Sequence, residues 1–149
     1  MEKTDAARAI AFITEQRLAA LATLSPEGQP AVSVVYIVPD ENLNLYFMTH
    51  ADTEKHQNIM RHPKIALVVT DESRHETLQV QGSAEVLEDA TTKQWILRAF
   101  TALPSTVAPW QPPVHQQGGA YSFIKITPKR MRMAQFRGEG EPIFTQIVP

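Results

Sequence analysis

The stretch Leu43–Leu67, LNLYFMTHADTEKHQNIMRHPKIAL, decides the fold. Leu43, Leu45 and Phe47 alternate with Asn44, Tyr46 and Met48, the two-residue period of a strand. The chain then turns through Thr49-His50-Ala51-Asp52-Thr53-Glu54-Lys55 into a short helix that Pro63 stops. A second apolar strand follows, from Ile65 to Val69. The turn delivers two hydroxyls, Thr49 and Thr53, and the cation of Lys55 to a helix start. Backbone N–H groups there are unpaired and the helix dipole is positive, so the segment reads as an anion cradle. The plainer reading is an N-cap, in which Asp52 or Thr53 satisfies the first helical turn. The two roles are compatible. Lysine at a helix start is disfavoured by the dipole, a mismatch that an anionic partner would relieve.

Outward from this stretch, short strands and turns alternate. Thr4 and Asp5 precede the apolar spacing of Ala9, Ile10, Phe12 and Ile13, which predicts a helix over 5–16. Leu18–Leu24 is an apolar run of strand length. Ser25-Pro26-Glu27-Gly28 is a turn, and the valine-rich Ala31–Val38 is the returning strand of a hairpin. Pro39-Asp40-Glu41-Asn42 makes the next turn, so Leu43–Met48 reads as the third strand of a meander. Glu76–Leu87 is a long strand in which Gly82 suggests a bulge, with Thr77, Gln79 and Gln81 on one face. Asp89 opens a helix with Trp95, Ile96, Ala99, Phe100 and Leu103 as its apolar stripe, ended by Pro104. Residues 104–119 form a Pro-rich irregular segment. Ala120–Thr127 and Met131–Phe136 read as two last strands around a Pro128-Lys129 turn, and Gly138–Pro149 as a tail able to add a short strand. Six or seven antiparallel strands with flanking helices in one domain, 1–149, predict a mainly β barrel.

Composition narrows the function classes. With 149 residues, 43% hydrophobic and 20% charged, the chain is an ordinary globular domain. A net charge of −2 argues against nucleic acid as the main partner. No run of about 18 apolar residues is present to span a membrane. The opening MEKTDAARAI lacks a signal-peptide layout, so a cytoplasmic location is expected. The chain has no cysteine, which excludes disulfides and thiolate chemistry. None of the histidines, His50, His56, His62, His75 and His115, forms a ligand pair at helical spacing, so no metal site is expected. His50 has two readings, an ordinary surface histidine or a contact to a bound phosphate or sugar chain. Asn58, one turn after Lys55, is expected to face solvent. Arg130 and Arg132 share a strand face; they either complete an anion site from a partner chain or are edge-strand charges that discourage aggregation. Trp95 and Phe100 read as helix-to-barrel core. Trp110 either covers a ligand pocket or packs on a partner chain. No serine has a G-x-S-x-G context. No catalytic residue stands out.

From Ile13 to Phe136 the order of elements and residues resembles the pyridoxamine 5′-phosphate oxidase-like family of FMN-binding split barrels. The meander LAALATLSPEGQPAVSVVYIVPDENLNLYFMTH is similar to the family's first three strands, including Gly28-Gln29-Pro30. Thr49-His50-Ala51-Asp52-Thr53-Glu54-Lys55 matches the family spacing Thr-x-x-x-Ser/Thr-x-Lys, which holds the flavin phosphate. The resemblance implies phosphate contacts from Thr49, Thr53 and Lys55. It implies that the backbone of Val34, Val35, Tyr36 and Ile37 lines the isoalloxazine ring, and that Thr77 or Gln79 reaches the ring. It also implies a homodimer with the cofactor at the two-fold interface. The apolar strands that a lone small barrel would expose point the same way.

Several positions depart from the true oxidases. Their Ser-Arg-Lys phosphate turn has Glu54 in place of arginine, a carboxylate that must point away from a phosphate. Their second-strand arginine and lysine are Ser33 and Val38 here. Their Tyr-x-x-x-Arg-x-x-x-Ser motif has no counterpart in WILRAFTALPST. Their Arg-Ile-Glu-Phe-Trp becomes Arg130-Met131-Arg132-Met133-Ala134. These changes argue against vitamin B6 oxidation and towards the small general-stress-type flavin-binding proteins. The resemblance thus implies an FMN-dependent oxidoreductase acting on an unidentified small molecule or electron acceptor. The alternative is a non-catalytic module that binds or senses flavin, the deazaflavin F420 or haem.

Overall fold

The computed structural model describes residues 3–102 and 120–148. Three helices and eight strands follow in the order α1 (Lys3–Gln16), β1 (Leu18–Leu24), β2 (Pro30–Tyr36), β3 (Val38–Pro39), β4 (Leu45–His50), α2 (Glu54–Arg61), β5 (Lys64–Asp71), β6 (Glu76–Val86), α3 (Ala90–Thr101), β7 (Tyr121–Gln135) and β8 (Ile143–Val148). Every pairing is antiparallel, in the order β2-β1-β5-β6-β7-β4-β3, with β8 added to β7.

The two ends of that order are neighbours in the chain. β2 and β3 are separated by Ile37 alone, whose N–H donates to the Arg17 carbonyl at 2.9 Å. One extended segment therefore starts on β1 and finishes on β4, and the curled sheet closes into a barrel split between β2 and β4. The sequence meander is present in this form, with β4 paired to β3 and β7 rather than to the length of β2.

The interior is filled by alternate residues of each strand, among them Leu21, Ile37, Leu45, Phe47, Leu78, Ile124, Ile126 and Met133. β4 is buried on both faces because its other face, Tyr46 and Met48, packs with Ile96 and Phe100 of α3 and with Phe123. The core reading of Phe100 holds, and Trp95 packs edge-on against Tyr46 at 5.2 Å. The Tyr46 hydroxyl donates to Asp40 at 2.9 Å, and burial beside that carboxylate pushes its pKa well above the ordinary value.

Three sequence expectations change. Pro128-Lys129 is not a turn: β7 runs unbroken from Tyr121 to Gln135. Gln81 faces Arg130 while Gly82 faces Pro128, so Lys129 is the extra residue of a bulge, where a proline without an N–H is tolerated. Gly82 is required there because a Cβ would run into the backbone of Thr127 and Pro128. β7 is also no edge strand, since β6 flanks it on one side and β4 and β8 on the other, so Arg130 and Arg132 are not edge guards. Asn58 does not face solvent. It is 2% exposed, and its Nδ2 donates to Thr23 Oγ1 at 3.1 Å, because α2 packs its inner side on β1 and β6. Trp110 and the 104–119 segment lie outside the described residues.

Candidate functional site

The split in the barrel is a cleft of about 110 Å³, lined by Val34, Val35, Tyr36, Met48, Thr49, Lys55 and Phe100. Its walls follow from the topology. β2 ends the strand order and, among the described strands, pairs with β1 alone, so alternate backbone N–H and C=O groups on its other side point into the split. β4 supplies Met48 and Thr49, α3 supplies Phe100, and the first turn of α2 supplies Lys55.

Thr53 is the N-cap of α2, with extended backbone (φ −74°, ψ 153°), and its Oγ1 accepts from the His56 N–H at 3.4 Å. Its hydroxyl donates to the His50 carbonyl at 2.9 Å, and the Thr49 hydroxyl lies 3.1 Å away. With the Thr53 proton engaged by His50, Thr49 is the donor of that second bond. Capping thus employs both hydroxyls. Among the described residues, the bonds at this helix end account for the N–H groups of Thr53, His56 and Gln57 and leave those of Glu54 and Lys55 open. Lys55 is half-buried and has no ion pair among the described residues. Glu54 is exposed, as an anion site requires.

The other candidates fall in different places. Ile37 is fully buried, and its N–H is already bonded within the chain. His50 stacks on Tyr121 with ring centroids 4.3 Å apart. Thr77 has a buried hydroxyl without a partner among the described residues, and it sits opposite Ala134 in the β6–β7 register, the position of the oxidases' tryptophan. Gln79 accepts from Arg132 Nε at 2.8 Å, and the Arg132 guanidinium lies 4.3 Å over the Phe144 ring. Gln79, Gln81, Arg130 and Arg132 line one small hollow of about 40 Å³. Arg130 also borders an open groove of about 840 Å³ with Lys64, Lys129, Ala22 and Ala66. Neither hollow shares a lining residue with the Lys55 cleft. The fold therefore brings Val34, Val35, Tyr36, Thr49 and Lys55 together, with Thr53 behind them, and keeps Gln79 and Arg130 apart from them.

The sequence reading missed Met48 and Phe100 as cleft walls. It also missed the pair His56–Ser122, whose Nε2 and Oγ lie 2.8 Å apart. Strand periodicity places Met48 on the face opposite Thr49, and only the packing of α3 shows that both reach the split. Val38, where the oxidases carry lysine, is buried against α3 and offers no charge.

The family model described as Pyridoxamine 5′-phosphate oxidase matches residues 5–135. The chain belongs to this family of split barrels. No curated protein matches it by sequence. Among solved structures, it resembles a Clostridium acetobutylicum protein related to general stress protein 26 of B. subtilis, with 14% identity, TM-score 0.70, and 99% of this chain and 97% of that one covered. It also resembles a pyridoxamine 5′-phosphate oxidase-related, FMN-binding protein of Nostoc punctiforme, with 16% identity, TM-score 0.65, and 99% and 96% covered. A haem-binding protein of Mycobacterium smegmatis shares the fold at 19% identity and TM-score 0.67, over 98% of this chain and 59% of its own. Among the described residues no helix is long and apolar enough to cross a membrane.

Proposed function

We propose that this protein binds FMN in the β2–β4 split, as a homodimer with two shared sites, and works in the cytoplasm as a flavin-dependent oxidoreductase on a small molecule. The observation that carries this reading is Lys55, a half-buried cation without a counter-ion among the described residues, beside two N–H groups of a helix start that these residues leave open. That donor set suits a phosphate. The free edge of β2 suits a planar ring with both donors and acceptors on its rim, and Val34 and Phe100 suit its apolar faces. FMN, when bound, supplies the redox chemistry. The chain's own residues anchor, orient and shield it. Lys55 holds the phosphate end, Thr49 and Thr53 stiffen the turn that carries it, and β2 fixes the ring by backbone contacts.

A cleft of about 110 Å³ takes a phosphate and part of a sugar chain, not a whole flavin. The ring must lie over β2, where Val32 and Val34 are 73% and 60% exposed. A second copy would cover these valines and bring its own Arg130 or Gln79 to the ring, which supports the dimer reading. Among the described residues the cleft lining includes no carboxylate or imidazole, and this favours a second reading, a binding or sensing module for flavin, F420 or haem without turnover.

The test is the visible spectrum of the purified protein, before and after addition of FMN and desalting. Retained flavin bands at about one per chain support the reading. A colourless protein that does not retain FMN would refute it. Steady-state turnover of the loaded protein with an electron acceptor separates the enzyme from the module.

A further inference from the structure

We infer that the open groove at the Pro30 end of β2 binds a small organic acid with an apolar body, and that this is the class of molecule on which the proposed flavin acts. The second clause rests on the flavin reading; the first does not. The groove follows from strand register. On the outer face of the sheet one row of facing residues runs Val32, Ala22, Ala66, Gln81, Arg130 across five strands. Large side chains stand at both ends of the row and two alanines lie between them, so the face is hollowed. The hollow is about 840 Å³, a volume that suits a small organic molecule, and Leu24 and Pro30 add apolar wall to it.

The rim is cationic. Lys64, Lys129 and Arg130 line the groove, and none of them makes an ion pair among the described residues. Among those residues the lining holds no carboxylate, in a chain whose net charge is −2. Lys129 and Arg130 are consecutive, and consecutive residues of a regular strand face opposite sides. Both reach this groove because Lys129 is the extra residue of the β7 bulge. Gly82, also in the lining, fixes that bulge, since a Cβ there would stand 2.3 Å from the Thr127 carbonyl oxygen. The bulge thus doubles the positive charge that β7 presents to one hollow. Pro30, Val32 and Val34 form the exposed stripe of β2; Pro30 lines the groove and Val34 lines the Lys55 cleft. Four residues of strand separate these two, about 13 Å, comparable with the long axis of a three-ring flavin. A ring laid over Val34 and Val32 from a phosphate at Lys55 therefore ends at the groove, where an acid held by the three cations would meet it.

The probe is 2-naphthoate, with the uncharged 2-naphthamide as its control, each titrated calorimetrically into the purified protein. The unaltered protein is expected to bind the acid about tenfold more tightly than the amide. Lys64→Gln and Lys129→Gln should each weaken the acid about threefold and together about tenfold, the size of exposed ion pairs, with the amide unchanged. Neither lysine lines the Lys55 cleft, so FMN affinity should be the same in these variants. Ala66→Leu fills the floor of the groove and should weaken acid and amide alike. Equal affinity for acid and amide, or an acid affinity unmoved in the double variant, would overturn the inference. So would an unaltered protein that does not bind the acid; a shift in sedimentation of the Lys64→Glu, Lys129→Glu protein would then assign the face to a second copy of this chain. In FMN-loaded protein the acid should perturb the visible flavin bands, and less so in the double variant. Binding without that perturbation would refute the groove's place beside the ring. A protein that binds the acid but retains no FMN would refute the flavin reading alone.

Discussion

Replacing Lys55 by methionine separates its role as an anchor from its role in the fold. Methionine keeps most of the aliphatic stem that packs at the cleft and removes only the charge. In the free protein, Lys55 is half-buried at a helix start with no ion pair among the described residues. The dipole there repels a cation by about 0.3–1 kcal/mol. Removing the charge should leave the apo protein as stable as before, or more stable by a few tenths of a kcal/mol. Towards FMN the sign reverses. A hydrogen bond to a charged group contributes about 1.5–3 kcal/mol, so affinity should fall by about 10- to 150-fold. Riboflavin affinity should change little, because no phosphate meets the lysine. Thermal melting of the apo protein and fluorescence titration with both flavins measure these quantities. Equal losses for FMN and riboflavin, or an unchanged FMN affinity, would show that Lys55 does not hold the phosphate.

Other consequences are as direct. Asn58→Ala leaves the buried Thr23 hydroxyl without its partner and should cost about 1–3 kcal/mol in urea unfolding, whereas Thr23→Val combined with Asn58→Leu should recover much of it. Asp71 is held at about 2 by hydrogen bonds from Ser73 and from Arg74, below its ordinary value of 3.8. Its folded pKa is depressed, so its contribution is present above about pH 4 and is lost as pH falls towards about 2; acid unfolding of Asp71→Asn should be flatter across that window. Val32→Asp places a carboxylate on a valine that is 73% exposed and outside the Lys55 cleft. It should shift a dimer to monomer in sedimentation and weaken flavin retention; an unaltered oligomeric state would place the interface elsewhere.

Much of the fold was legible because its signals are local. Leu18–Leu24 is a strand in both readings, and the Ser25–Gly28 turn closes with the Gly28 N–H donating to Ser25 at 2.9 Å. Gly28 has φ +79°, a conformation that glycine adopts without strain. Gly82 marked an irregularity that is a real bulge. The tail forms β8 as its composition allowed. The error at Pro128-Lys129 has a physical source: a proline beside a polar residue signals a turn locally, and only pairing with Gly82 reveals a bulge in a continuous strand. Asn58 has a similar cause, since a short helix shows which residues share a face but not which face the barrel covers.

The sequence by itself determined the alternation of strands and helices, a cap at Asp52 or Thr53 and the segment that carries Thr49, Thr53 and Lys55, because each depends on residues within a turn or two of one another. Only the tertiary structure decided that the barrel closes through Ile37, that β2 and β4 part to leave a cleft, and that Ser122 meets His56 from 66 positions away. It also decided that Gln79 and Arg130 stand apart from Lys55. These are matters of strand register and closure, in which the energy lies in contacts between distant segments, and no local pattern encodes them.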